Sequence, residues 1–422
     1  MRKIIVIILM FFVTFIFVGC DKNQRPENHF LFATWAAGQE LKEFNAIVKQ
    51  VNEEANGEFV IETLSIPSDY YIKVSSMIAA KNSPDFFWLT QELISKYAEL
   101  GVIADLTNQF NASTEIRPAD FYEGVLASAT YKDKYWGLPW IANPLIVYYN
   151  KDLFQSAGIT PPSATDDWTW EEFIDICRNL KGTPNYKGEE IYATVVDGWP
   201  NIETFIWSGG GDILSADGKT VLIDSEASLS GLGNLHTIIS ENLTPPYSSI
   251  SSLGSNNVWF EKQRVAMFMG GAQDNFEYKI SLMNEDDRFE LGYAPMPVAA
   301  DGSPWAFDWT ASTVVAKKLE GNALAYKALE AMTKGFFKWK IASPIVGETE
   351  NIATIQPLKA QALETIEYTL DYARSANYTP EWSDINDMLW YDLYIKMLTD
   401  PNFNYQSEAR GIAAEAREII GR

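Results

Sequence analysis

Short apolar runs alternate with amphipathic stretches over the first hundred residues of the chain. The run HFLFATW, which begins at His29, predicts a buried strand. After it, apolar side chains recur at helical spacing from Leu41 to Val51, and Gly57 marks the end of this predicted helix. A strand at EFVIETL, a helix over residues 70–80 and a third strand at DFFWL follow. This alternation predicts βαβ units and a parallel sheet that is covered by helices.

The segment YWGLPWIANPLIVYYN, residues 135–150, is apolar but contains Pro139 and Pro144. Because proline cannot donate a hydrogen bond to a strand ladder, the two prolines argue against a central strand. They favour a chain that crosses between two lobes. The helix at TWEEF comes next and has the clearest start in the chain, since Thr169 and Glu172 form a predicted capping box.

Later segments are less regular. Residues 265–269 predict a strand, and from residue 322 onward the pattern is largely helical. The last helix, EARGIAAEAREIIG, is amphipathic, so we expect it to pack on the body of the protein.

The N-terminus has the pattern of a secretory signal peptide over residues 1–19. Arg2 and Lys3 precede fifteen residues of which only Thr14 is polar. This run is shorter than the roughly 20 residues that span a membrane. It ends in FVGC, which resembles a lipobox, so Cys20 is the expected lipidation site and residues 20–28 form the lipidated end and a polar tether. The protein is then exported and lipid-anchored to the outer face of the cytoplasmic membrane; an ordinary signal peptide with an incidental cysteine is the alternative.

Composition narrows the possible partners. The chain has 422 residues, enough for two or more domains, and a formal net charge of −23. A negative field of this size opposes binding to nucleic acids and anionic lipid surfaces. Cys177 is left without a cysteine partner if Cys20 is acylated, so we expect a buried thiol and no disulfide.

Aromatic residues supply the first candidate chemistry, since the chain contains 14 Trp, 20 Tyr and 23 Phe. A neutral sugar needs flat apolar faces for its C–H surfaces and hydrogen-bonding groups for its hydroxyls. Trp35 follows the first strand, where a parallel sheet presents its binding edge. The densest cluster is Trp305, Asp308 and Trp309, in which a carboxylate lies between two aromatic residues. A structural role in the core is the alternative for each of these residues.

Motifs of catalysis and of metal binding are missing from the sequence. His29 and His236 are the two histidines, and neither HExxH, GxSxG nor a cysteine–histidine metal spacing occurs. Carboxylates near tryptophans are compatible with a glycosidase, but with 56 acidic residues such pairs arise by chance. We expect a protein that is not an enzyme and has no catalytic residues, no metal and no cofactor.

Four stretches together resemble the extracellular solute-binding proteins, family 1, of ABC importers, the sugar-binding group that includes maltose-binding protein. They are the FVGC lipobox, residues 137–161 with TWEEF just after them, FEKQRVAMFMGG at residues 260–271, and residues 293–333. The resemblance implies a two-lobed α/β fold of the type II periplasmic-binding-protein class, in which each lobe is a mostly parallel sheet flanked by helices. A hinge joins the lobes, and the ligand lies in the cleft between them. Lobe one would comprise residues 28–138 and 292–340, and lobe two residues 141–290 and 343–422.

The resemblance also adds candidate ligand-binding positions. Asp85 begins the third strand, Trp140 and Asn143 lie on the crossover, Trp207 precedes a glycine cluster, and Asp274 follows a strand end. With Trp35, Trp305, Asp308 and Trp309 they form the predicted site.

The expected function is capture of a mono- or oligosaccharide by a monomeric lipoprotein and its delivery to the permease subunits of an ABC importer. Two alternatives stay open. The same fold could bind a polyamine or another cation, because acidic groups and aromatic walls serve both ligands. The third hypothesis is an exported glycoside hydrolase.

Overall fold

The computed structural model describes residues 25–340 and 342–421. The predicted signal peptide, the lipidation site Cys20 and the start of the tether lie outside the described residues.

The described chain alternates short strands and helices. In chain order, the strands are β1 (His29–Thr34), β2 (Val60–Ser65), β3 (Phe86–Thr90), β4 (Thr130–Tyr131), β5 (Lys134–Tyr135), β6 (Leu138–Ile141), β7 (Leu145–Asn150), β8 (Met267–Gly271), β9 (Leu291–Pro295), β10 (Ala306–Phe307), β11 (Ala311–Val315) and β12 (Ala373–Arg374).

The α-helices in chain order are α1 (Gly38–Ala55), α2 (Tyr70–Ala79), α3 (Gln91–Glu99), α4 (Thr107–Ala112), α5 (Glu123–Ala127), α6 (Lys151–Ala157), α7 (Trp170–Leu180), α8 (Ile202–Ser208), α9 (Glu226–Ser240), α10 (Tyr247–Ile250), α11 (Asn256–Glu261), α12 (Phe276–Ser281), α13 (Ala323–Phe336), α14 (Ile352–Ile355), α15 (Leu363–Leu370), α16 (Trp382–Asp387), α17 (Ile395–Thr399) and α18 (Tyr405–Ile420). Met388–Tyr394 is a π-helix, and short 3₁₀ turns cover Pro118–Asp120, Glu285–Asp287, Lys317–Leu319, Thr349–Asn351 and Pro357–Ala362.

The first sheet has the strand order β2-β1-β3-β11-β6. Both pairings of β1 are parallel, as the βαβ pattern predicts. The pairings of β11 with β3 and with β6 are antiparallel. Strands β11 and β6 lie in segments of the chain that pass to or from the other lobe, so neither belongs to a βαβ unit. Pro139 lies in β6, which is an edge strand and therefore tolerates a residue that cannot donate to the ladder.

The second sheet, β8-β7-β9, differs from the mostly parallel sheet that was expected for this lobe. Both of its pairings are antiparallel, because β7 enters directly from the first lobe. Strand β7 is buried on both faces. Leu145, Val147 and Tyr149 contribute to one apolar core of lobe two, and Ile146 and Tyr148 contribute to a second core behind the sheet.

The strand pairings bear on where the chain returns to lobe one. Strand β9, within the predicted lobe-one segment 292–340, pairs with β7 of the second sheet. The chain rejoins the first sheet only at β11. We therefore propose that the returning lobe-one segment begins near residue 310.

Local predictions from the sequence are confirmed in several elements. Helix α7 begins with the capping box, in which the Thr169 amide donates to the Glu172 carboxylate at 2.7 Å. Cys177 is fully buried on the inner face of this helix. The last helix, α18, packs through Ile412 and neighbouring alanines on lobe two. None of the helices within residues 25–340 and 342–421 is long and apolar enough to cross a membrane.

Candidate functional site

The carboxyl-terminal edge of the first sheet carries one wall of the site. Trp35 follows β1, and its ring is partly exposed and lies 6.4 Å from the ring of Tyr71. The hydroxyls of Tyr71 and Thr90 are hydrogen-bonded at 2.9 Å. Thr90 also donates to the carboxylate of Glu92 in the first turn of α3. We call Trp35, Tyr71, Thr90 and Glu92 the lobe-one wall.

The opposite wall comes from the start of α8 and from the segment after β12. Glu203 lies in the first turn of α8 and is 5% exposed. The side-chain amide of Asn201 donates a hydrogen bond to the Glu203 carboxylate at 2.7 Å. We call Asn201, Glu203 and Tyr378 the lobe-two wall.

The two walls face each other closely enough for their charges to interact. Burial, with a smaller contribution from the negative charge of Glu92, raises the pKa of Glu203 to about 7. Burial raises the pKa of Tyr378 well above its usual value, and both glutamates add to this shift. The site therefore holds two opposed carboxyl groups, one of which is partly protonated near neutral pH.

A hydrogen bond joins the two lobes at this point. The side-chain amide of Gln91 donates to the Tyr378 hydroxyl at 3.0 Å. Gln91 is itself held in place because its carbonyl oxygen accepts a hydrogen bond from the Thr310 hydroxyl at 2.8 Å. Trp309, the neighbour of Thr310, packs against the cores of both lobes. The two lobes are thus in direct contact at this point.

Carboxyl, amide and hydroxyl groups beside aromatic faces are the groups that bind a hydroxyl-rich ligand. Among the described residues, no cluster of three or more His, Cys, Asp or Glu side chains could hold a metal ion. The arrangement can bind, orient and enclose a ligand.

Of the nine residues predicted for the site, Trp35 and Trp309 lie at the cleft with partly exposed rings. Trp35 belongs to the lobe-one wall, and Trp309 lies between the lobes next to Gln91. Contact of either ring with a ligand stays a prediction.

Asp85 lies at the opposite edge of the first sheet from the cleft, because it precedes β3 and does not follow it. Its carboxylate pairs with Arg25 at 3.0 Å and with Lys318 at 2.7 Å. It also accepts a hydrogen bond from the Leu31 amide at 2.7 Å. In this structure Asp85 ties the tether and the sheet together, and its expected contact with a ligand stays a prediction.

Three of the predicted tryptophans are buried in the cores. Trp140 stacks on Trp88 with ring centroids 4.4 Å apart, inside lobe one. Trp207 is 1% exposed, and the guanidinium of Arg374 lies 4.0 Å from its ring centroid. Trp305 packs edge-on against Trp207. None of these rings offers a free face to a sugar, so the geometry gives no support to the predicted ligand contacts of these three tryptophans.

Asn143 and Asp274 have mainly structural partners. The Asn143 side-chain oxygen accepts a hydrogen bond from the backbone amide of Gln273 at 2.9 Å, beside the crossover between β6 and β7. The Asp274 carbonyl accepts a hydrogen bond from buried Lys359. Burial raises the pKa of the Asp274 carboxyl to about 6, although Lys359 opposes the shift.

Asp308 is fully buried at the same crossover. One carboxyl oxygen accepts a hydrogen bond from the Asn143 backbone amide at 2.7 Å, and the other has no hydrogen-bond partner among the described residues. Burial raises the pKa of Asp308 to about 8. The carboxyl has a structural role here, since it does not reach the cleft surface, and its expected contact with a sugar stays a prediction.

Replacement of Asp308 by Asn is expected to flatten the pH dependence of stability. An aspartate in the unfolded chain loses its proton near pH 3.9, whereas the folded carboxyl keeps it to about pH 8. Between these values the folded state binds more protons, so the free energy of unfolding falls as pH rises, by at most about 1.4 kcal/mol per pH unit. Urea unfolding at pH 5, 6, 7 and 8 measures the slope. An unchanged slope in Asp308→Asn would show that the carboxyl ionises normally; Glu203 and Asp274 leave a residual slope of the same sign.

Sequence reasoning missed the polar residues of both walls. Glu92 and Gln91 immediately follow β3, so the rule that placed Trp35 at the strand end would also have found them. Glu203, Asn201 and Tyr378 carry no comparable signal. They lie in or beside short elements, such as α8, whose positions depend on tertiary packing.

The chain matches the family model of the bacterial extracellular solute-binding proteins over residues 36–334. A putative binding protein of Brucella abortus is 24% identical over 360 residues, which cover 81% of both chains. The diacetylchitobiose binding protein NgcE of Streptomyces coelicolor is 25% identical over 339 residues, 71% of this chain and 68% of the relative.

Solved structures resemble the chain over nearly its whole length. The ABC substrate-binding protein Lmo0181 of Listeria monocytogenes, in complex with cycloalternan, superposes with a TM-score of 0.75 at 20% identity and covers 93% of this chain and 99% of its own. The sugar-binding protein MalE of Xanthomonas citri gives a TM-score of 0.73 at 18% identity, with 93% and 97% covered. At these identities the likeness concerns the fold.

Proposed function

The chain belongs to the bacterial extracellular solute-binding proteins, and on this premise we propose that it captures a neutral mono- or oligosaccharide between its lobes and delivers it to the permease subunits of an ABC importer. The family and the two-lobed type II fold, both expected from the sequence, are confirmed. The family and the similar solved structures are solute-binding proteins and not enzymes.

The observation that carries the proposal is the pair of opposed walls. Glu92 and Thr90 on one lobe and Glu203 and Asn201 on the other offer hydrogen-bonding groups to hydroxyls from both sides. Trp35 supplies a partly exposed aromatic face beside them. The saccharides that appear in the names of NgcE and of the Lmo0181 complex support this ligand class.

Closure of the lobes is the proposed signal to the importer. The Gln91–Tyr378 hydrogen bond and a 3.3 Å contact of the Lys96 ammonium with the Ser383 hydroxyl join the lobes in the closed state. A ligand that touches both walls binds this state more tightly and so raises its population.

Export and a lipid anchor at Cys20 complete the proposal and rest on the FVGC motif. The anchor would hold the protein at the outer face of the cytoplasmic membrane, next to the importer. Labelling of cells with radioactive palmitate is expected to mark the wild-type protein and not the Cys20→Ser variant; equal labelling of both would contradict the anchor.

Isothermal titration of the full-length protein with a saccharide panel tests the proposal. The panel contains mono- to hexasaccharides of the malto-, chito-, xylo- and manno- series. We expect one series to bind, and the Tyr378→Phe variant to bind it about fivefold more weakly, because it loses one hydrogen bond of the closed state. Tyr372→Phe, an exposed tyrosine outside the two walls, is the control. Failure of every saccharide to bind would overturn the proposed ligand.

A polyamine is the second candidate, because two carboxyl groups face each other across the cleft. A cation would be attracted to the ionised form of Glu203, whose pKa is raised to about 7. Its affinity should therefore fall as pH decreases from 8 to 6, whereas a neutral saccharide can also accept a hydrogen bond from the protonated carboxyl. Titration with spermidine at both pH values separates the two ligands.

A further inference from the structure

Residues 25–28 of the predicted tether are fastened to lobe one. Arg25 pairs with the carboxylate of Asp85 at 3.0 Å, and Lys318 pairs with the same carboxylate at 2.7 Å. The side-chain amide of Asn28 donates hydrogen bonds to two carbonyls between α1 and β2. This part of the tether therefore belongs to the body of lobe one.

These contacts lie at the edge of the first sheet that is opposite to the cleft. Strands β1, β2 and β3 are parallel and start at this edge, and β11 ends at it, since Val315 pairs with Phe86. Trp35 follows the other end of β1, so the cleft is about 20 Å away, the length of a six-residue strand. We call this edge and its loops the base of lobe one; it comprises residues 25–28, 81–85, 100–102 and 317–320.

The base of lobe one is locally basic, in a chain whose formal net charge is −23. Among its described residues, four cations lie with three carboxylates: Arg25, Lys81, Lys317 and Lys318 with Glu27, Asp85 and Glu320. Asp85 is buried and Glu320 pairs with Lys317, so these two carboxylates are neutralised where they stand. Leu100 is 65% exposed on the loop whose Val102 carbonyl accepts a hydrogen bond from the Lys317 amide. Basic side chains beside an exposed leucine are suited to anionic lipid headgroups.

Chain length limits how far the base of lobe one can lie from a membrane. Cys20, the proposed lipidation site, stands five residues before Arg25. Even a fully extended chain of five residues spans no more than about 18 Å. The rest of the molecule is acidic and is repelled by an anionic surface, whereas the cations of the base are attracted within a Debye length of about 8 Å at physiological salt. Both effects turn the base toward the membrane.

We propose that the base of lobe one lies against anionic lipid headgroups, where the lipid at Cys20 and the Arg25–Asp85 pair hold it. The inference rests on the lipid anchor that is part of the proposed function. The cleft edge of lobe one then points away from the membrane and is open to solutes.

The test places a fluorophore at either end of α2, which is ten residues or about 15 Å long. Asn82→Cys puts a thiol on the base of lobe one, and Ser68→Cys, in a separate variant, puts one at the cleft edge; both residues are exposed. Cys177 is fully buried and does not compete for the label.

The full-length lipidated variants are reconstituted in vesicles of phosphatidylcholine with a quarter of phosphatidylglycerol, and quenching by a lipid with a nitroxide headgroup is measured. In about 50 mM salt we expect at least about twofold stronger quenching at residue 82 than at residue 68, because only the base contacts lipid. The difference should shrink in about 500 mM salt, which screens the attraction.

A second comparison tests the fastening of the tether. Arg25→Gln breaks the pair with Asp85, whose other contacts remain, so the variant is expected to fold. The base is then less firmly held, and we expect the difference in quenching between the two positions to fall by about half. Lys334→Gln is the control, because it also removes a cation from lobe one, but near the other end of α13. It should leave the difference unchanged.

The outcomes separate this inference from the proposed function. Equal quenching at both positions in the otherwise unchanged protein would overturn the inference and leave the anchor and saccharide capture intact. An unchanged difference in Arg25→Gln would overturn the role of the Arg25–Asp85 pair. Mass spectrometry of the same preparation shows whether Cys20 is acylated, and a protein without acyl chains would overturn both the anchor and the inference. Titration of that preparation with saccharides tests the proposed ligand independently of the membrane.

Discussion

The Gly231→Ala variant is expected to lose at least about 2 kcal/mol of unfolding free energy, a large effect for the addition of one methyl group. A Cβ atom on Gly231 would lie 2.1 Å from the carbonyl oxygen of Phe205 and 2.9 Å from the amide nitrogen of Gly209. Both obstacles are backbone atoms, so no side chain can rotate away. Helices α8 and α9 would have to separate.

This separation would also reach the candidate site, because α8 carries Glu203 in its first turn and Trp207 in its last. Helix α8 is seven residues long and every one of them is buried, so its position depends on its packing partners. We therefore expect Gly231→Ala to weaken saccharide binding as well as folding. Urea unfolding followed by circular dichroism measures the first effect, and titration with the bound saccharide measures the second.

Gly233→Ala is the matched control on the same helix. A Cβ atom there meets only the hydroxyl of Tyr405, at an ordinary contact distance of 3.4 Å. Since alanine favours a helix more than glycine does, this variant should gain up to about 1 kcal/mol. A Gly231→Ala variant as stable as Gly233→Ala would show that α8 and α9 are not in close contact.

The close approach of α8 and α9 illustrates what the sequence could and could not predict about the fold. The first βαβ units could be predicted, because the apolar residues of β1, α1 and β3 follow clear strand and helix periodicities in the local sequence. Helix α8 has no such pattern, since all its residues are buried and periodicity is lost. The antiparallel direction of β7 relative to β8 and β9 also could not be predicted from the local sequence, because it depends on where the chain crosses between the lobes.

The tryptophans show the same limit at the candidate site. Composition indicates a ligand with flat apolar faces, but Trp140 and Trp207 have the same local sequence character as Trp35. Only the tertiary structure shows that Trp88 covers the ring of Trp140 and that Arg374 covers the ring of Trp207. The position of Trp35 at the cleft could be predicted because it follows β1, which depends on sheet topology and not on residue type; its contact with a ligand stays a prediction.

The predicted acidic residues have structural partners. Asp308 lies in a stretch that resembles the family, Asp85 was added by the same resemblance, and the structure uses both to tie backbone segments together. Glu92 is distinguished in the sequence only by its position just after β3. Glu203 stands in no motif, and with 56 acidic residues in the chain nothing in the sequence distinguishes it. Their facing positions follow from lobe closure.

Replacement of Lys359 by Met is expected to cost about 3–5 kcal/mol of unfolding free energy, the second large effect. Lys359 is fully buried in lobe two, and its ammonium group lies 2.9 Å from the Glu277 carboxylate. It also donates to the Tyr148 hydroxyl at 3.0 Å and to the Asp274 carbonyl. Burial lowers the pKa of Lys359, and Glu277 opposes this shift. The pair is therefore held together against a substantial desolvation cost.

The reason for the large loss is the charge that is left behind. In Lys359→Met, Glu277 keeps one hydrogen bond, from the Tyr293 hydroxyl at 2.8 Å, but has no counter-ion. The Asp274 carboxyl, whose pKa Lys359 lowers in the wild type, would take up a proton more readily in the variant. The variant should therefore be less destabilised at pH 5 than at pH 8.

A double variant separates the loss of the charge from the loss of packing. Lys359→Met/Glu277→Gln removes both charges, so we expect it to recover most of the stability that Lys359→Met loses, as buried ion pairs often permit. Lys334→Met breaks a surface pair with Glu115 in lobe one and should change stability by no measurable amount. Urea unfolding of the wild type and these three variants at pH 8 makes the comparison. If the double variant were no more stable than Lys359→Met, the lysine would act through its hydrogen bonds to Tyr148 and Asp274, and the buried pair would not be the source of the effect.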